Sequence, residues 1–453
     1  MKHNKALYKT IKKMVPAVLI AMISTALGLL SLYRSKVPMI NDFGAMLTIG
    51  IVIAFMIAIF IFIPFLYIRD KHFPTVEHKK VKQIKPNGFI SSFVGVIIKF
   101  KFLILSIAIV LALVGLYVDQ SAEAETDLEN FMPQDSEALE DIQTLRSIIG
   151  STEQIAIILE SEYILTKENF MLIDEIENSL FVEHEDKIIE TSSLINMFEM
   201  MGIKDYDMIN EDTLKKIPED QIKLFINESL TKTIINISLA EMSDEEFDVF
   251  IGDIEDDIKL INSQTNISIT GQSVIDSEMM KALTTGRYDI TLIGLALIFL
   301  SLLIIYRSLY RALLPIIPII LIIGWSGGIM ALFGMSYTPL TATLGALIMG
   351  IGTEFTILIT ERFEEEKLKT DDRQLAIKNA LAKMTNPILV SALTTMGGFS
   401  ALIFSDFVIL SNFGIMTLVN LSLALLSTIV VLPTILAITF NKEVKVLEPV
   451  TSS

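Results

Sequence analysis

Glu354 stands inside an apolar run, Leu340–Thr360, seven residues before Glu361. On a helix that spacing carries it about 10 Å deeper along the axis than Glu361. Charge is costly at such a depth, so an ionisable group there reads first as part of a proton or ion pathway. A carboxylate suits that chemistry, because one oxygen can take a proton and return it as its surroundings change. Thr353 and Thr356 flank it and offer hydroxyls. Elsewhere Ser391, Thr394, Thr395 and Gly398 follow i, i+3, i+4, i+7, so they share one helix face. Ser24 and Thr25, with Ala21 and Gly28, repeat that spacing near the N-terminus. Small and hydroxylated residues let helices approach closely and hydrogen-bond across the gap. Plain packing is the competing reading of these hydroxyls, and a structural carboxylate bonded to a threonine is the competing reading of Glu354.

Other chemistries find no residues to carry them. The chain has no cysteine, which excludes disulfide scaffolds, thiolate metal sites and thiol nucleophiles. Its four histidines, His3, His72, His78 and His184, do not cluster. There is no glycine-rich phosphate loop, no Gly-x-Ser-x-Gly and no His-Glu-x-x-His. Asp253, Glu255, Asp256 and Asp257 could suggest calcium, but their stretch has helical period and lacks a loop glycine. A solvated acidic face is the better reading. No cofactor and no enzymatic site are expected. With 53 acidic against 36 basic residues, a nucleic-acid partner is not expected either.

Glu354 needs a membrane around it, and the composition supplies one. The 453 residues are 52% hydrophobic with a mean hydropathy of +0.57, too apolar for an ordinary soluble enzyme. Eight stretches are long enough to cross a bilayer: Val15–Leu32, Phe43–Ile68, Phe102–Val118, Ile290–Tyr306, Leu313–Leu332, Leu340–Thr360, Pro387–Phe404 and Val408–Phe440. The first is expected to stay as a helix, since Arg34 and Lys36 follow it without a small-x-small cleavage pattern. Charge is segregated. Asp119–Arg287 holds 39 acidic and 11 basic residues, a net −28, and the remainder is +11. Basic residues before the first span, between the second and third (Lys71, Lys79, Lys80, Lys82, Lys85) and in later alternate loops all fall on one side. By the positive-inside rule both termini are then cytoplasmic and Asp119–Arg287 lies outside.

One helix pair occurs twice. Lys13-Met14 and Ser24-Thr25-x-x-Gly28 return 370 positions later as Lys383-Met384 and Thr394-Thr395-x-x-Gly398. Asp42-Phe43-Gly44 returns as Asn412-Phe413-Gly414, and Pro64 as Pro433 after a one-residue slip. Duplicated membrane halves with sites at their interface are common in transporters. Four spans and the acidic block lie between the first copy and the second, and only a short amphipathic stretch precedes the first.

Within the acidic block, helix-like Ser136–Ile149, Lys167–Leu180, Asp220–Leu230 and Asp244–Leu260 alternate with strand-like Glu153–Glu160, Lys232–Ala240 and Asn266–Thr270. Short strands split by helices predict βαβ units of ferredoxin-like type.

Taken together, eight spans, one such domain after a single helix, and Leu344–Arg362 (LGALIMGIGTEFTILITER) resemble the RND superfamily of exporters. The branch most similar is the MMPL-type, hydrophobe/amphiphile efflux group, whose membrane core overlaps the sterol-sensing domain. Glu125–Ile149 (ETDLENFMPQDSEALEDIQTLRSII) resembles the start of that family's porter domain, and Ile269–Gly271 followed by Leu283–Tyr288 its return to the membrane. The resemblance implies spans five to twelve of a twelve-span exporter and its second porter domain. The division expected is 1–118 for three spans, 119–287 for the porter domain, 288–440 for a five-helix core and 441–453 for a cytoplasmic tail. In the family an Asp-Tyr pair near this place in the tenth helix relays protons, and Glu354-Phe355 stands there instead. The carboxylate is kept and the tyrosine hydroxyl is lost, leaving Thr353 or Thr356 as substitutes. The implied activity is proton-driven export of a lipid-like or amphiphilic molecule across the cell membrane. The implied partners are membrane lipids, the proton, and a second copy or separate chain supplying the missing half. A non-transport accessory, sensing or protein-translocation subunit, or an inactive remnant, stays open as the alternative.

Overall fold

The computed structural model describes residues 2–72, 88–122, 124–125, 128–149, 154–203, 205–240, 242–261 and 265–438. Lys79, Lys80, Lys82 and Lys85 of the basic loop and the 441–453 tail lie outside these residues. Two compact units emerge: Met1–Met132 with Ala282–Ser453, and Pro133–Lys281. The second falls within the 119–287 bounds expected for a porter domain.

Apolar composition dictates the first unit. Its opening helices are α1 (Lys2–Leu30), α2 (Pro38–Ile57), α3 (Ile63–His72), α4 (Gly88–Lys99) and α5 (Lys101–Asp119). Among the described residues eight helical stretches are long and apolar enough to cross a bilayer, and the protein is a multi-pass membrane protein. They fall where apolar length predicted them. The short α4 was not read from the sequence.

In the second unit α6 (Glu137–Ile149), α7 (Lys167–Glu183), α8 (Leu194–Met200), the single turns α9 (Glu211–Leu214) and α10 (Glu219–Ile222), α11 (Asp244–Ile261) and α12 (Gln272–Lys281) surround four strands. The strands are β1 (Gln154–Glu160), β2 (Ile188–Ser192), β3 (Lys232–Leu239) and β4 (Asn266–Thr270), in the order β2-β3-β1-β4 with every neighbour antiparallel. With α7 between β1 and β2 and α11 between β3 and β4, this is the ferredoxin-like split βαβ arrangement. Alternate residues of β1 and β3, Ile155, Ile157, Leu159, Ile235, Ile237 and Leu239, join Phe170, Ile173 and Phe250 in one core. Asp220–Leu230 is not the helix its period suggested. It makes one turn, and the Asn227 side-chain Oδ1 then accepts from the Thr231 and Lys232 amides to start β3.

The chain returns to the first unit through a π-helical turn, Ala282–Gly286, and runs through α13 (Arg287–Tyr306), α14 (Leu309–Leu332), α15 (Leu344–Lys367), α16 (Arg373–Ser400), α17 (Val408–Leu426) and α18 (Leu432–Ile438). Glycine sets the closest packing here. A Cβ on Gly115 of α5 would lie 2.0 Å from the Gly324 carbonyl oxygen of α14, so only hydrogen fits between these helices. Trp325 donates its indole N–H to the Ala108 carbonyl at 3.0 Å along the same seam.

The repeat is visible bond for bond. A 3-10 turn follows each first helix, Ser31–Arg34 and Ala401–Phe404, and a π-turn follows each second helix, Ala58–Phe62 and Ser427–Val431. Asn41 donates to the Tyr33 carbonyl, as Ser411 does to that of Ile403. A Cβ on Gly44 would strike Leu32 and one on Gly414 would strike Leu402. All these positions correspond at the 370-residue offset, apart from the one-residue slip at the π-turns. The twin residues Phe43 and Phe413 meet edge to face, with ring centroids 5.8 Å apart.

Candidate functional site

Helix α15 packs against α1, α13, α14, α16 and α17, which leaves it buried on nearly every side. Leu347, Ile351, Glu354 and Leu358 form a half-buried stripe at i, i+4, i+7, i+11. Glu354 is therefore on the one face of the helix that stays partly open. Among the described residues no side chain hydrogen-bonds or ion-pairs with its carboxylate.

The hydroxyls expected near it divide into three groups. Those of Thr353 and Thr356 are buried but donate within α15, Thr356 to the Gly352 carbonyl at 2.8 Å and Thr353 to those of Met349 and Gly350. A buried threonine on a helix satisfies itself on the preceding turn. Thr25 of α1 reaches across and donates to the Gly350 carbonyl at 3.0 Å, one turn from Glu354. Its neighbour Ser24 is fully buried, with no partner for its hydroxyl among the described residues. The second copy of this face is not brought to α15. Ser391, Thr394 and Gly398 are exposed on α16, and Thr394 and Thr395 bond to carbonyls of their own helix. The two repeat faces are thus unequal: the α1 copy is packed on α15, and the α16 copy is open.

A polar residue that the sequence reading passed over lies beside the stripe. Asn420 of α17 is 4% exposed, and neither amide atom has a protein partner among the described residues. With Thr417, Leu421 and Ala424 of its own helix and Leu347, Ile348 and Ile351 of α15, it lines a cavity of about 10 Å³. Thr417 donates to the Phe413 carbonyl at 2.7 Å, leaving its lone pairs towards other donors. The π-turn Ser427–Val431 that ends α17 also packs against α15. An asparagine within an apolar span was the available signal.

A second missed site joins the ends of three spans. The Arg287 guanidinium donates to Asp119 Oδ2 at 2.7 Å and to the Asp119 carbonyl at 3.0 Å. Tyr288 donates to Oδ2 at 2.8 Å and Tyr337 to Oδ1 at 2.6 Å. The guanidinium lies 3.8 Å from the Tyr337 ring centroid, a stacked cation–π contact. Gly327 makes room for Asp119, since a Cβ there would sit 2.5 Å from its carboxyl carbon. The adjoining cavity, about 40 Å³, reaches Ser326, Thr291 and Ile348 of α15, and is large enough for water. The charges are fully matched, so the group acts as a clasp.

At the far end of α15, Glu366 gathers Arg362, Lys369 and Lys383 at 2.9, 2.7 and 2.8 Å, and Lys383 ties α15 to α16.

Among its described residues the second unit holds one buried carboxylate. Glu177 of α7 accepts from the Ser193 hydroxyl at 3.1 Å through one oxygen, and the other has no partner among the described residues. Burial pushes its pKa up to about 7, opposed by the Ser193 bond and aided by the nearby Asp174 and Glu199. Glu183, His184 and Asp257 bring potential ligand atoms within 4.8 Å of one another. The His184–Asp257 contact, 3.2 Å, holds the end of α7 on α11, and we assign no metal to it. Asp253, Glu255, Asp256 and Asp257 lie on α11, a helix without the loop of a calcium site.

Comparison with known proteins places this geometry. A model of the MMPL family matches residues 222–447, which include Glu354 and Asn420. The resemblance carried by Leu344–Arg362 holds, since that segment lies within the match. The protein MJ1562 of Methanocaldococcus jannaschii is 24% identical over 353 residues, covering 74% of this chain and 90% of its own. YdgH of Bacillus subtilis is 27% identical over 219 residues, 46% of this chain and 24% of its own. MmpL12 of Mycobacterium tuberculosis, whose name describes transport, is 26% identical over 161 residues, 34% and 14%. The chain thus spans most of the first relative and a quarter or less of the other two. Among solved structures, the hedgehog release protein Disp from the water bear Hypsibius dujardini superposes with a TM-score of 0.67 at 12% identity, over 95% of this chain and 59% of that one. SecDF, a translocon-associated membrane protein from Thermus thermophilus, gives 0.54 at 15%, over 96% and 50%. Both are likenesses of fold.

Proposed function

We propose that this chain, whose residues 222–447 belong to the MMPL family of transporters, exports a lipid-like or amphiphilic molecule and couples that export to proton entry at Glu354. One observation carries the reading. Among the described residues Glu354 is the only carboxylate well inside a span, and it has no protein partner on the one partly open face of α15. A structural carboxylate at that depth would be expected to hold a cation or a hydroxyl donor. An unpartnered one is free to exchange a proton. Protonated, Glu354 is neutral and tolerates an apolar neighbour; ionised, it favours an arrangement in which water or a polar group reaches it. That difference is what lets a proton gradient bias two arrangements of α15.

The asymmetry of the repeat supports a need for a further polypeptide. The Thr25 face of α1 is satisfied by α15, whereas the Thr394–Gly398 face of α16 remains open and the Glu354 stripe is only half-buried. A second copy or a separate chain would cover them. The charge pattern supports cytoplasmic termini, an external 119–287 porter domain, a five-helix core over 288–440 and insertion in the cell membrane. Proton-gradient-driven efflux from proteoliposomes, comparing wild type with Glu354→Gln, tests the coupling; an accessory subunit would tolerate that substitution.

A further inference from the structure

We propose that Asn420 and Thr417 of α17 form a water-holding station that delivers the proton to Glu354. The inference rests on the reading of Glu354 as a proton carrier and adds the residues that feed it.

A buried amide with no partner is costly, and native proteins keep few of them. Among the described residues Asn420 has both amide atoms unpartnered, and it lines, with Thr417, a cavity whose other walls are Leu347, Ile348, Ile351, Leu421 and Ala424. At about 10 Å³ the cavity is at the lower limit for one water molecule. A water there finds the two to four polar partners it requires: the Asn420 carbonyl as acceptor, the Asn420 N–H₂ as donor, and the lone pairs of Thr417 Oγ1, whose own proton is committed to Phe413. The site is therefore polar at one spot and apolar elsewhere. That suits one ordered molecule and no larger ligand.

Its relation to Glu354 follows from helix geometry. Ile351 lines the cavity, and Glu354 is three residues further along the same stripe, about 4.5 Å along the axis. Glu354 is not itself among the residues that line the cavity, but side chains on a helix lean towards its N-terminus, which carries its carboxylate from α15 towards the turn of Ile351. In the transfer, an O–H bond of a protonated water at Asn420 breaks and an O–H bond forms on the Glu354 carboxylate, leaving neutral water held by the amide. Asn420 gives and takes no proton itself. It is a positioning residue, fixing where the water stands.

The test uses the full chain in lipid nanodiscs and the infrared carboxyl band that Glu354→Gln removes. On transfer to D₂O, the rate at which this band shifts reports proton access to Glu354. Asn420→Leu should slow the shift by about tenfold, the factor set by one lost hydrogen bond, while thermal stability holds or rises. Asn420→Ser, which keeps a donor and an acceptor, should restore most of the rate. Exchange in Asn420→Leu within about twofold of wild type, smaller than one lost hydrogen bond gives, would overturn the station. Should Asn420→Leu fail to fold, slow exchange in Asn420→Ala with most of the rate kept in Asn420→Ser supports the station, and equal rates in those two variants overturn it. Absence of any Glu354 carboxyl band in wild type would remove the carrier reading itself, and the station with it.

Discussion

Arg287 and Asp119 are separated by 168 residues of sequence and by 2.7 Å in space. Asp119 ends the helix before the ferredoxin-like unit, and Arg287 begins the helix after it. Tyr337 completes the arrangement: its hydroxyl binds Asp119, its ring covers Arg287, and its carbonyl accepts from the Glu125 amide at 2.8 Å. The clasp thus gathers the two chain crossings and the α14–α15 connection.

Removing one charge of a buried pair leaves the other uncompensated, at a cost of about 3–5 kcal/mol. Asp119→Asn and Arg287→Met should each lower the thermal unfolding temperature markedly, and the double substitution should cost less than their sum. Equal stability of the single variants and wild type would show that the pair holds nothing together.

Glu177 supplies a pH dependence of opposite sign to an ordinary ion-paired carboxylate. Its pKa is raised in the folded state, to about 7 against an ordinary value of 4.5. The folded chain therefore binds more protons than the unfolded chain between those values. This contribution is fully favourable below the ordinary value and is lost as pH rises through about 7. Glu177→Gln should flatten unfolding temperature against pH over that interval and stabilise at pH 8, by up to about 3 kcal/mol. An unchanged slope would contradict it.

How much of this was legible in sequence depends on the range of the interaction. The spans could be read because apolar length is local, and β1, β3 and β4 because alternation is local. β2 was missed: Ile188–Ser192 is five residues at the sheet edge, with only Ile188 buried. Asp220–Leu230 misled because its apolar spacing is helical, while Asn227 and the left-handed Leu230 turn the chain. Asp119 and Arg287 read as ordinary charges at span ends, since their pairing exists only in the fold. The chemistry of Glu354 was visible as a charge out of place. The division of its expected hydroxyls was not, because only packing decides that Thr25 meets α15 and Thr394 does not.

Close glycine packing gives a sharper mechanical test. Gly115→Ala places a methyl 2.0 Å from the Gly324 carbonyl oxygen, so α5 and α14 must separate. Overpacking of this kind costs about 1–3 kcal/mol or more. Gly50→Ala, with nothing within 4 Å of the added atom, should leave the unfolding temperature unchanged or higher. Equal behaviour of the two variants would contradict the packing.

Orientation can be read by labelling, because the chain has no cysteine of its own. Asp256→Cys should react with an impermeant reagent applied outside cells and Lys82→Cys should not. The reverse pattern would invert the topology and move the proposed proton entry to the other side.

The central claim is that export depends on a titrating group at Glu354. The most direct measurement is efflux of an amphiphilic dye from proteoliposomes under an imposed proton gradient, for wild type and Glu354→Gln, the protein being reconstituted densely and again at one chain per vesicle. Glutamine keeps the shape and removes the titration. The account predicts gradient-dependent efflux by densely reconstituted wild type, with Glu354→Gln and single chains both at the level of protein-free vesicles. Full gradient-dependent efflux by Glu354→Gln would contradict the coupling, and full efflux from single wild-type chains would contradict the need for a partner.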